Sequence, residues 1–173
     1  MNIYENIVKM SLIAFFHFNN NNNDNMINKY FIGKRLETQI CMEFQKYIER
    51  KRGCKSFLKL RGEVNAPIDY LGHLYKPNFN VIVAQLAVEV RSLKKSKEDI
   101  EKEGGYIDFP ITKLNELMKF WRMDKECYIV YKLAEEVYVL SWDYYLKHNF
   151  EIELKDWKGD YVKLPVRNFI ECI

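Results

Sequence analysis

Three carboxylates and one arginine carry the chemistry this sequence could do. In "LAVEVRSLKK" (Leu86–Lys95) an apolar, strand-like run holds Glu89 at its centre and Arg91 two residues on. Side chains alternate along a strand, so Glu89 and Arg91 share one face while Val88 and Val90 take the other. Asp69 stands twenty residues before Glu89, on the preceding strand-like run. If the two runs pair as a hairpin, both carboxylates come within reach of one hard cation. Mg2+ favours oxygen ligands and usually takes one or two carboxylates with waters and a substrate phosphate. Such an ion polarises a phosphodiester and acidifies a bound water. A basic side chain beside it holds the water or offsets charge on the reacting phosphorus. The plainer alternative is an ordinary ion pair on an edge strand.

The third acid, Glu37, depends on the element that carries it. "YFIGKRLETQICMEFQKYIERKRG" predicts an amphipathic helix closed by Gly53, with Leu36, Ile40, Phe44 and Ile48 recurring every four residues and Tyr47 beside them. Glu37 falls inside that stripe, one turn before Cys41, while Arg35, Lys46 and Arg50 point the other way. A charged, unpaired acid there costs several kcal/mol. Glu37 therefore meets a cation or hydrogen bonds, or it faces a cleft.

Strand-like runs follow: "CKSFLKLR" (54–61), "APIDYLGHLY" (66–75) with Pro67 at its start, and "NVIVAQLAVEVR" (80–91), the expected central strand. A charged linker, "SLKKSKEDIEKEGG", leads to a short strand at Tyr106–Phe109. The helix "ITKLNELMKFWR" has Ile111, Leu114, Leu117, Met118 and Trp121 on one stripe. "ECYIVYKLA" and "EVYVLSW" read as a hairpin turning near Glu135–Glu136, and "DYYLKHN" as a short helix before a mixed tail. Helix, three strands, helix, two strands gives an α/β class: an αβββαββ core with a central mixed sheet flanked by helices.

A chain of 173 residues with 48% hydrophobic and 15% aromatic content builds one domain with a real core and excludes a disordered protein. Residues 1–28 read as an appended segment: an apolar run, Met10–Phe18, with an Asn-rich link after it. The apolar run is followed by no small-residue cleavage site, and no run is long enough to cross a bilayer. The domain proper is expected over 29–173. Cys41, Cys54, Cys127 and Cys172 are scattered, without C-x-x-C pairs or zinc-ligand spacing to His17, His73 or His148, which fits a reducing, intracellular setting. Net charge is only +3, but Lys34–Arg61 holds nine basic and three acidic residues, against ten and twelve in Gly104–Ile173. A basic first third is what a polyanion-facing surface looks like, and also what a solvated helix face looks like.

Taken in order, "GKRLE" (Gly33–Glu37), "APID" (Ala66–Asp69) and "VEVRS" (Val88–Ser92) resemble the PD-(D/E)XK nuclease superfamily, most closely its Holliday-junction-resolvase-type and archaeal or viral nuclease members. The resemblance covers about residues 30–142 and implies a restriction-endonuclease-like fold and a metal-dependent DNA endonuclease. It implies that Asp69 and Glu89 hold Mg2+ or Mn2+, that the carbonyl of Val90 completes the site, and that Glu37 supports it. Double-stranded or branched DNA is the implied partner, and resolvase-type relatives are dimers, so a homodimer is expected. The departure is Arg91, where the family usually has lysine. Either Arg91 acts as an electrostatic clamp, or Lys94 or Lys95 swings in, or the protein binds DNA without cutting it. Lys34, Arg35, Arg50, Lys51, Arg52, Lys55, Lys59 and Lys95 would track phosphates. Trp121 and Trp142 occupy apolar positions and are expected in the core. The competing readings are a catalytically silent DNA-binding or scaffolding protein of the same fold, and an unrelated interaction domain.

Overall fold

Helix α1 (Asp24–Arg52) contains the expected stripe and ends at Gly53, whose φ of +59° is the left-handed conformation that suits glycine after a helix. The computed structural model describes residues 24–61, 66, 68–143, 153–155, 161–169 and 171–173. The expected apolar run at Met10–Phe18, Pro67, most of the "DYYLKHN" segment with His148, and Trp157 lie outside the described residues. The chain divides into two compact units, Met1–Arg35 and Leu36–Ile173. Helix α1 begins at Asp24, inside the stretch read as a link.

In the second unit, β1 (Lys55–Leu60), β2 (Tyr70–Lys76) and β3 (Val81–Leu93) form an antiparallel meander. Helix α2 (Lys97–Lys102), β4 (Tyr106–Pro110) and helix α3 (Ile111–Arg122) then carry the chain over to β5 (Glu126–Leu133), which lies parallel to β3. β6 (Glu136–Ser141) returns antiparallel. The main sheet runs β1-β2-β3-β5-β6-β9, with β9 (Glu171–Cys172) at its edge. The expected αβββαββ order around a mixed central sheet is observed. Parallel pairing of β3 with β5 requires a long crossover, and α2, β4 and α3 supply it.

Two parts of the tail and linker differ from expectation. The charged linker is not bare loop: α2 forms because the Ser96 hydroxyl accepts the Asp99 N–H, Glu98 and Asp99 sit in its first turn, and Ile100 is buried. The strand at Tyr106 joins a separate three-stranded sheet, ordered β4-β8-β7, with β7 at Glu153–Lys155 and β8 at Tyr161–Pro165. The run at 66–75 is also shorter as a strand, since Ile68 and Asp69 form a bend and β2 starts at Tyr70.

β3 is the central strand expected. Leu86, Val88 and Val90 pack against α1 through Ile40, Cys41, Phe44 and Ile48. Ala87 faces the other way, in the cluster that holds Leu114 and Leu117 of α3, Ile129, Leu140 and Trp142, and Phe109 and Leu164 of the second sheet. Trp142 is fully buried and its Nε1 donates to Met118 Sδ at 3.1 Å, as a core tryptophan should. No helix among the described residues is long and apolar enough to cross a membrane.

Candidate active site

A strand buried on both faces is normally apolar throughout. β3 breaks that rule once: Glu89 is 0% exposed, and with Asp69 at 8% it makes up the buried charged residues among those described. Register explains why they meet. Tyr70 pairs with Val88, so the bend just before β2 brings Asp69 alongside Glu89, and Asp69 Oδ2 accepts the Val90 N–H at 3.0 Å. The hairpin expected from the sequence does join these two acids.

Two buried carboxylates side by side repel, and burial penalises both charges. The structure answers with two cations. Arg91 Nε lies 3.0 Å from Glu89 Oε1. That contact has the distance of an ion pair but not the angle of a hydrogen bond, and both atoms are left without a hydrogen-bond partner. The second cation was not anticipated: Lys113, in the first turn of α3. Its Nζ donates to Glu89 Oε2 at 3.1 Å and to the Ala66 carbonyl at 2.7 Å, and it sits 3.8 Å from Asp69 Oδ1. The ammonium therefore stands between the two carboxylates. Even so, burial, then the neighbouring Asp69 charge, raise the Glu89 carboxyl to about 7, against the lowering pull of Lys113 and Arg91.

Lys113 occupies an unfavourable place for a cation, because a helix N-terminus carries positive partial charge. α3 has no acid in its first turn and no side-chain cap at Pro110. The two carboxylates across the gap and the Ala66 carbonyl offset that unfavourable field. A first-turn lysine with no acid beside it was visible in the sequence; what it touches was not.

The other expected site residues distribute differently. Glu37 is half-buried on the α1 side of the sheet, where its charge, after burial and with those of Cys41 and Asp69, helps to raise the Tyr70 phenol. The Tyr70 hydroxyl donates to Thr38 Oγ1 at 3.4 Å. Cys41, on the same helix, is pushed up to about 12 by burial and then by the Asp69 charge. Asp69 is thus felt on both sides of the sheet, while Glu37 stays with Tyr70. Lys94 is exposed beyond the end of β3, and Lys95 pairs with Glu103. Neither is brought to Glu89.

The basic residues of the first third do not form one patch around the acids. Arg50, Lys51 and Arg52 end α1, which covers the opposite face from Glu89. Lys51 Nζ donates to the Tyr47 hydroxyl at 2.8 Å, Arg52 pairs with Glu126 at 3.0 Å, and Lys55 with Glu49 at 3.4 Å. Lys59 is exposed on β1. Lys34, half-buried, and Arg35, exposed, belong to the first unit.

No family model and no curated protein matches the sequence. Among solved structures, Hjc from Archaeoglobus fulgidus, a Holliday junction resolvase from an archaeal hyperthermophile, is 17% identical. The match covers 79% of this chain and 91% of that one, with a TM-score of 0.47. At that level of likeness nothing about the chemistry transfers from it.

Proposed function

We propose that this protein is a metal-dependent DNA endonuclease that hydrolyses phosphodiester bonds in branched DNA or in the DNA of a virus or mobile element. The observation that carries the reading is the convergence of Asp69 Oδ1 and Glu89 Oε2 on one cationic position, now held by Lys113 Nζ. Two hard oxygens aimed at one point suit Mg2+ or Mn2+, and the buried Glu89 Oε1 has no hydrogen-bond donor to satisfy it. Among the described residues no group of three His, Cys, Asp or Glu side chains could hold a metal. Asp69 and Glu89 would therefore hold the ion with the Val90 carbonyl and non-protein ligands. When bound, it would polarise the scissile phosphodiester and acidify an attacking water.

The chain's own residues do the rest. The Val90 N–H fixes the Asp69 carboxylate. Lys113 has a flexible four-carbon stem, so its ammonium can leave the carboxylates and turn to a phosphate oxygen, taking the part of the lysine that Arg91 replaces. Arg91, with a side chain 35% exposed, balances Glu89 and offers its outer edge to the phosphate. Without an ion the four charges cancel; a divalent ion leaves the site positive and attractive to DNA. Arg50, Lys51 and Arg52, on the far side of the sheet, would touch a separate segment such as another arm of a branch, in a monomer or a homodimer.

The test is cleavage of linear duplex, single-stranded and four-way-junction DNA with Mn2+. Glu89→Ala is expected to lower the rate about a thousand-fold, equivalent to about 4 kcal/mol of transition-state stabilisation, with DNA binding kept. Cleavage that survives this change removes the site assignment. One observation favours the silent alternative: Lys113 and Arg91 already neutralise both carboxylates. Calorimetric titration showing no bound Mn2+, with salt-sensitive DNA binding intact, would decide for it.

A further inference from the structure

Helix α3 does not cover the whole face on which Glu89 sits. Its cluster reaches Ala87 on β3 and Leu71 on β2 and stops there. Beyond Leu71 the same face continues along β2 as His73 and Tyr75, with Phe57 of β1 in register opposite His73. The three rings form a row, with centroids 5.6 Å apart for Phe57–His73 and 5.8 Å for His73–Tyr75. Phe57 is 47% exposed, and Ile82, opposite Tyr75, is 58% exposed. Gly72 helps to set the row: a Cβ there would lie 1.8 Å from the Phe57 carbonyl oxygen, so only glycine lets β1 close onto β2 at this point.

We infer that this row is a stacking platform for unpaired nucleotides. Lys59 follows Phe57 on the same side of β1 and is exposed. Lys125 reaches over the sheet to Gln85, the β3 residue in register with His73. Rings that every base can stack on, bordered by cations that follow a phosphate chain, are the two components of sequence-tolerant single-strand binding. A second copy of this chain is the poorer occupant, since a two-fold contact over the row would bury Lys59 and Lys125 against like charges. The row also lies on the line of the proposed cleavage site. His73 is four residues from Asp69 along the chain, about 13 Å at the rise of a strand. Unpaired bases a few nucleotides from the scissile bond would rest there. The inference rests on the nuclease reading for its choice of nucleic acid and deepens it, by specifying a substrate with an unpaired stretch next to the cut.

The experiment is done in EDTA, where cleavage does not intervene, with a fluorescein-labelled fifteen-nucleotide oligo-dT and a duplex of the same length as probes (about fifteen suffices to span one such site). Phe57→Leu keeps apolar bulk and removes the π face; Phe57→Trp keeps the face. Phe57→Leu is expected to weaken oligo-dT binding about 10-fold, the range for loss of one stacked base, while duplex binding stays within about two-fold. Phe57→Trp is expected to retain affinity and to gain indole emission that oligo-dT quenches. Oligo-dT binding that is absent, or the same in Phe57→Leu as in the unaltered protein, overturns the platform. So does a dimer that Phe57→Leu converts to monomer in sedimentation with single-strand affinity unchanged. Mn2+ cleavage of junction DNA by the unaltered protein is scored separately. Its absence alongside Phe57-dependent binding rejects the nuclease and leaves the platform, and its presence alongside Phe57-independent binding does the reverse.

Discussion

One strand presents two chemistries. On the α1 face of β3, Val88 and Val90 are buried among Ile40, Phe44 and Tyr70 in an apolar layer. On the α3 face, Glu89 and Arg91 meet Asp69 and Lys113 in a cluster of four charges. The basic end of α1, Arg50–Arg52, belongs to the first face, and the acids to the second. Density of charge along a chain is therefore a poor guide to the local field. Arg52 and Lys55 have carboxylate partners in Glu126 and Glu49, and the acidic cluster has its own two cations in Arg91 and Lys113.

The sharpest way to break this contrast is to remove Lys113. The ammonium is hydrogen-bonded to Glu89 and to a backbone carbonyl and lies beside Asp69, so Lys113→Ala strands two acceptors and takes a cation from the second carboxylate. Deleting one partner of a buried ion pair costs about 3–5 kcal/mol, and urea unfolding at pH 8 should show a loss toward the lower end of that range, because Glu89 takes up a proton more readily once the lowering pull of Lys113 is gone. At pH 5 the loss should shrink, because Glu89 can take a proton instead. An equal loss at both values would mean that the stem of Lys113 matters and its charge does not.

Protonation itself gives the next largest effect. The Glu89 carboxyl sits near 7 in the folded protein and near 4.5 when free. The native state thus binds this proton more tightly than the unfolded chain does. Its contribution to stability is fully present below about pH 4.5 and is lost as pH rises through about 7, a change of about 3 kcal/mol in all. Other groups titrate over the same window, so the quantity to measure is a difference. In EDTA, the stability of Glu89→Gln minus that of the unaltered protein should rise by about 3 kcal/mol between pH 4.5 and pH 8. A difference that stays flat across the window would show that Glu89 is no harder to ionise folded than unfolded.

The parts of this site that the sequence reveals are those set by local rules. β-branched residues and period-two alternation place Glu89 on a central strand, and a hairpin is the simplest way to join it to the run holding Asp69. Helix α2 is also set by a local rule: Ser96 with Asp99 three residues later is a capping pattern, hidden by the density of charge around it. Lys113 is a different matter. Its partners are set by how α3 docks on the sheet after a crossover, and no spacing within "ITKLNELMKFWR" encodes that. The second sheet is illegible for the same reason, since β4 finds its partner β8 only after both β5 and β6 have been laid down. The Phe57, His73 and Tyr75 row needs the β1–β2 register before its members become neighbours.

The smallest expected effect lies on the other face. Arg52 and Glu126 make a 3.0 Å ion pair with side chains 39% and 31% exposed. Exposed pairs of this kind contribute about 1 kcal/mol or less, because water screens the attraction and ordering two side chains costs entropy. Arg52→Ala should therefore barely move the unfolding midpoint, in contrast to Lys113→Ala. Its effect on DNA should also differ in kind. If Arg52 contacts a phosphate on a separate arm, its loss should weaken binding evenly across sequences and reduce the slope of log affinity against log salt by about 1. Cleavage rate at saturating junction DNA should stay as it was, since Arg52 does not reach the carboxylates. A fall in that saturating rate with no change in the salt slope would tie α1's basic end to the chemistry after all, and the division between the two faces of β3 would not hold.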